Sequence, residues 1–113
     1  MVNTKAKGWT TMDKCRKQMQ SAGYLVDTVE KTGRFIKQKD LFGLFDLFCI
    51  KKGTAVLIQI TCNRPHSHKP YQQFSKDYHN NGIEFWQWVW YDRKGWRMFQ
   101  YRMGDKIEYD QRT

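Results

Sequence analysis

The chain has 113 residues, enough for one domain with a modest core. Twenty Lys and Arg against eleven Asp and Glu give a net charge of +9, the balance of a protein that meets nucleic acid or another acidic surface. No apolar run reaches the length of a membrane-spanning helix. The start Met-Val-Asn-Thr-Lys-Ala-Lys lacks a signal-peptide core, and an odd set of cysteines, Cys15, Cys49 and Cys62, argues against a disulfide framework. These features point to a cytoplasmic protein with no membrane partner and no small-molecule cofactor.

In chain order, a first helix is expected from Thr10 to Ala22. Thr10 and Asp13 have capping spacing, Met12, Cys15, Met19 and Ala22 form one apolar stripe, and Gly23 is a natural stop. A strand follows from Tyr24 to Thr28, then a turn at Thr32-Gly33, and Arg34 to Lys39 leads to Asp40 and Gly43. Leu44 to Ile50 reads as a strand covered on both faces, interrupted by Asp46; a buried lone carboxylate needs a metal, a cation or strong hydrogen bonds.

Lys51-Lys52-Gly53-Thr54 signals a hairpin into the next strand, Thr54 to Cys62. A two-residue loop at Lys52-Gly53 sets Asp46 directly opposite Gln59, with Cβ atoms about 4.5 to 5.5 Å apart and Thr61 on the same face. A loop one residue longer or shorter sets Asp46 against Ile58 or Ile60. After the polar loop Asn63 to Pro70, a second helix is expected from Pro70 to Tyr78, ended by Asn80-Asn81-Gly82. Strands Ile83 to Tyr91 and Trp96 to Arg102, joined at Asp92 to Gly95, close a single domain over residues 1–103; residues 104–113 read as a frayed polar tail.

A helix, three antiparallel strands with an Asp on one and a polar pair on the next, a helix and a strand resemble the core of the PD-(D/E)XK nuclease superfamily. The likeness is nearest to small archaeal Holliday-junction-resolvase and phage-encoded types. It implies an α/β fold with a restriction-endonuclease-like three-layer core, α-β-β-β-α-β plus an extra C-terminal strand, in a mixed sheet flanked by helices. It also implies that Asp46 binds Mg²⁺ or Mn²⁺, that Gln59 stands where the second acid belongs, and that Thr61 stands where the catalytic lysine belongs. Gln59 can serve a hard cation through its carbonyl oxygen.

On that reading Asp46, Gln59 and the Ile60 backbone carbonyl hold the metal, with Asp40 as a further ligand if Gly43 bends the chain back. The metal polarises the scissile phosphate and lowers the pKa of the attacking water. Lys39, Lys69 or Lys76 replaces the missing lysine. Asp13 is better explained by pairing with Lys17. Lys5, Lys7, Lys14, Arg64 and Lys69 are expected to contact phosphates, which fixes position without reading sequence.

A zinc reading of Cys62-x-x-x-His66-x-His68 fails on ligand count; His66 or His68 is instead a candidate for phosphate contact or proton transfer. Trp86, Trp88 and Trp90 alternate along one strand face, which builds a core or, alternatively, offers single-strand bases a stacking surface or a homodimer its patch. The functional expectation is a metal-dependent endonuclease acting on double-stranded or branched DNA. Its rivals are a catalytically inactive DNA-binding or assembly subunit of the same fold and a single-strand binder.

Overall fold

A computed structural model describes the backbone of residues 4–29, 31–32, 37–38 and 41–113, and the side chains of 10–29 and 41–113. In order the elements are α1 (Thr4–Ser21), β1 (Leu25–Thr28), β2 (Lys31–Thr32), β3 (Lys37–Gln38), β4 (Leu47–Lys51) and β5 (Thr54–Cys62). Then come α2 (Lys69–Asp77), β6 (Ile83–Tyr91), β7 (Gly95–Arg102) and β8 (Asp105–Asp110). Among the described residues no helix is long and apolar enough to cross a membrane.

Helix α1 starts at Thr4, so Thr10 and Asp13 are interior and do not cap it. The same acid spacing serves a helical ion pair: Asp13 binds Arg16 and, at 3.1 Å, Lys17. The stop at Gly23 is as expected. With φ at +95°, Gly23 donates to the Gln20 carbonyl at 3.0 Å while Tyr24 donates to Met19 at 3.1 Å. Cys15 and Met19 bury their side chains against the sheet, whereas Ala22, beyond the last turn, is exposed.

Six strands form one mixed sheet in the order β1-β4-β5-β6-β7-β8, and β2 pairs with β3 apart from it. Strand β5 is central because Val56, Leu57 and Ile58 are buried on both faces. It runs antiparallel to β4 and parallel to β6, the latter through the crossover helix α2. One core cluster joins α1 to Leu47, Cys49, Ile58 and Trp88; the other contains Phe45, Tyr71 of α2, Val89 and Phe99. The result is the expected three-layer arrangement, a mixed sheet between helices.

Trp88 and Trp96 pack edge to face at 5.2 Å and are buried, with Trp86 and Trp90 half-buried against the same cluster. The tryptophan row therefore builds core, and its buried ring, Trp88, is closed to a stacking base together with Trp96 of β7. The segment read as a frayed tail is a strand: Met103 and Gly104, with φ at +50° and +87°, make a two-residue turn and β8 pairs antiparallel with β7. Its residues are all exposed. Its apolar alternation is confined to Ile107 and Tyr109, too short a run to mark a strand among polar neighbours.

Candidate metal centre

Strand β4 is entered through a tight reversal. Leu41 N–H donates to the Phe45 carbonyl at 2.7 Å and Phe45 N–H to the Leu41 carbonyl at 3.0 Å, around Phe42 and Gly43 with φ at +57° and +70°. Leu44 and Phe45 thus belong to this reversal and not to the strand expected to begin at Leu44.

The hairpin loop has its expected length, and Lys51 pairs with Thr54. The ladder nevertheless ends at Leu47 opposite Ile58. Asp46 N–H also donates to Ile58, at 2.8 Å, so two residues on the β4 side face one on β5. This bulge replaces the expected opposition of Asp46 and Gln59 and re-aims the aspartate. Its carbonyl accepts from Val29 N–H at 2.9 Å, fixing the main chain from the other side.

The carboxylate and the amide still converge, now on the peptide groups of residue 60. Asp46 Oδ2 accepts the Ile60 N–H at 3.0 Å, and Gln59 Nε2 donates to the Ile60 carbonyl at 3.3 Å. Asp46 is half-buried and Gln59 buried. The Cys15 thiol is pushed well up by burial, then by Cys49 and by the Asp46 charge, which places the carboxylate within electrostatic reach of α1.

The donors available here are one carboxylate, one peptide carbonyl and, once the Gln59 amide turns over, its Oε1. An all-oxygen set fits a hard divalent cation. The buried Thr61 hydroxyl has no hydrogen-bond partner among the described residues, an open polar position two residues along β5. Lys39 and Asp40 lie outside the described residues, as do the side chains of Lys5 and Lys7.

Lys69 opens α2 and lines one recess with Gln72, Lys76 and Gly104 of the β7–β8 turn. Lys76 lies in the last turn, with its stem beside Gly104 of the β7–β8 turn. Lys14 holds its ammonium 4.0 Å from the Trp90 ring centre, and Arg64 is exposed in the loop. The zinc pattern is split between partners: Cys62 Sγ lies 3.2 Å from Thr11 Oγ1, while His68 turns to Tyr101.

That last contact belongs to a polar network that spacing did not reveal. Gln87, fully buried, is the register neighbour of Gln59; its Oε1 accepts His66 N–H at 2.6 Å and its Nε2 donates to Tyr101 Oη at 2.8 Å. Tyr101 Oη also lies 2.7 Å from His68 Nδ1, a hydrogen bond whose donor is set by the imidazole tautomer. Burial, then Lys106 and Arg97, hold the His68 pKa down, and burial pushes Tyr101 up. A buried Gln in a strand of alternating tryptophans was the one available signal, since such an amide needs partners.

No protein-family model matches the sequence, and no curated protein matches it significantly. Among solved structures, the chain is similar to Hjc, a Holliday junction resolvase from the archaeal hyperthermophile Archaeoglobus fulgidus. The TM-score is 0.58 at 17% identity, over 92% of this chain and 88% of the other. The chain shares the fold of that resolvase. The three-layer fold expected from the sequence is thus shared with a solved structure over nearly the whole chain.

Proposed function

We propose that the chain is a DNA-binding, divalent-metal-dependent endonuclease that hydrolyses phosphodiester bonds in branched or structured DNA. One observation carries the reading: Asp46 and Gln59 meet on the peptide groups of Ile60, at the end of the hairpin, within a fold shared with a Holliday junction resolvase. Asp46, the Gln59 amide oxygen and the Ile60 carbonyl hold Mg²⁺ or Mn²⁺, and Asp40 completes the set.

When bound, the cation supplies Lewis-acid polarisation of the scissile phosphate and a lowered pKa for the attacking water. The Ile60 N–H orients the Asp46 carboxylate, the Thr61 hydroxyl positions water, and Lys69 or Lys39 offsets the developing negative charge. Lys5, Lys7, Lys14, Arg64 and Lys69 contact phosphates around the site, and a homodimer in the cytoplasm presents two such sites to a junction.

Cleavage of supercoiled plasmid and a four-way junction with Mg²⁺ or Mn²⁺, by wild type and Asp46→Ala, tests this. The expected result is metal-dependent cutting that falls by about 10²-fold or more in the variant, with DNA affinity kept. A second reading, a silent DNA-binding subunit, is favoured by Thr61 in the lysine position and by the two side chains satisfying each other through Ile60. Binding without cutting by both proteins establishes that reading instead.

A further inference from the structure

Strand β8 closes one side of the sheet, and its open edge is patterned. Arg102 and Asp105 flank the two-residue turn, so they are a hydrogen-bonded pair, and alternation gives residues 107 and 109 their bonds to β7 as well. The donors Gln111 N–H to Trp96 and Thr113 N–H to Lys94, at 2.8 and 2.9 Å, continue the same odd-numbered pattern. Main-chain groups of Lys106, Glu108 and Asp110 therefore point away from the sheet. All six residues of β8 are exposed, with neither a proline nor a bulge to block pairing.

An antiparallel partner strand must match outward-pointing residues with one another. For a second copy of β8 this leaves few two-fold axes. An axis at Lys106 sets Lys106 against its own copy, and an axis at Glu108 sets Glu108 against its own copy in the central pair, although it brings Lys106 to Asp110. An axis at Ile107 places Lys106 opposite Glu108 twice, both as hydrogen-bonded pairs, and sets Ile107 against itself in the closer, non-bonded position. On the same face Asp105 then meets Tyr109, whose ring packs 5.3 Å from Trp86. Ile107 and Tyr109 are 37% and 45% exposed, so the apolar side of this edge is uncovered in the single chain.

We propose that β8 joins two copies of this chain, antiparallel about a two-fold axis at Ile107, with Lys106 of each facing Glu108 of the partner subunit. The two six-stranded sheets become one. The contact is isologous, and its alternating charges admit a second β8 while rejecting strands of other sequence.

Sedimentation equilibrium of the full chain at several concentrations reads the association directly. Wild type is expected to dimerise. Lys106→Glu, which leaves the Arg97–Glu108 bond intact, and Glu108→Lys each place like charges in both pairs and weaken the dimer at least about tenfold. Mixed in equal amounts the two variants regain opposite charges in both pairs and form a heterodimer. Thermal melting of each variant establishes that it is folded. A wild type that stays monomeric, a Lys106→Glu variant that dimerises unchanged, or a folded mixture that does not associate overturns the proposal.

Discussion

At the scale of single residues, the sequence singled out Asp46 because an acid inside an apolar run has a cost that something must offset. What offsets it was not legible: the Ile60 N–H is brought by a bulge, and a one-residue irregularity leaves no mark on an alternating pattern. His68 was visible only as a loop histidine, because its partner Tyr101 lies on a distant strand. Its environment makes a specific prediction. The imidazole is held below its ordinary value of 6.5 by burial and by Lys106 and Arg97, with Glu108 opposing, so between 6.5 and the lowered value the unfolded chain binds more protons than the folded one. Stability therefore falls as pH drops through that window. Urea midpoints at about pH 7.5 and pH 5.5 are expected to differ in wild type and to differ less in His68→Gln, a variant whose side chain does not titrate. Equal pH sensitivity in the two proteins contradicts the assignment.

At the scale of elements, two-residue turns were the most readable feature. Lys52-Gly53 fixed the β4–β5 register because such a loop leaves one way for the strands to pair. Met103-Gly104 is a turn of the same length, with both residues and not the glycine alone at positive φ, and was missed, since β8 beyond it is exposed at every position. Helix α1 was cut short because Thr-x-x-Asp is read equally well as a cap or as one turn of an ion-paired helix. The turns also pack on one another in a way no pattern foretells. A Cβ at Gly82, whose φ is +86°, meets the Gly53 carbonyl oxygen at 2.8 Å, just where Ala55 N–H binds the Gly82 carbonyl. At Gly23, φ is +95° but nothing lies within 4 Å. Gly23→Ala is expected to cost about 1 kcal/mol from backbone strain alone. Gly82→Ala is expected to cost about 2 to 3 kcal/mol, because the β4–β5 turn must also move. Chemical denaturation of the two variants side by side checks the order, and equal losses would mean that the turn contact yields freely.

At the scale of the whole molecule, the fold class was legible because helix-strand order survives errors at every boundary. The charge balance was legible too, but its placement was not. The fold brings residues far apart in sequence to one end of the sheet. Cys62 pairs with Trp90, Asn63 bonds Asp92 at 3.0 Å, and Lys14 lies over Trp90, so Lys14, Arg64, Arg93 and Lys94 gather at the end where Asp46 meets Ile60. Lys52 sits in the β4–β5 turn at the opposite end. If phosphates are held around the Asp46 end, counterion release makes the logarithm of the binding constant fall linearly with the logarithm of salt concentration. Arg64→Ala should then flatten that slope by about 1, whereas Lys52→Ala should leave it unchanged. Titrations of a four-way junction at several salt concentrations, read by fluorescence anisotropy, separate the two variants. The comparison is independent of cleavage, so it locates the DNA surface whether or not Asp46 supports catalysis. Identical slopes for wild type and both variants would place the contact elsewhere, despite a net charge of +9.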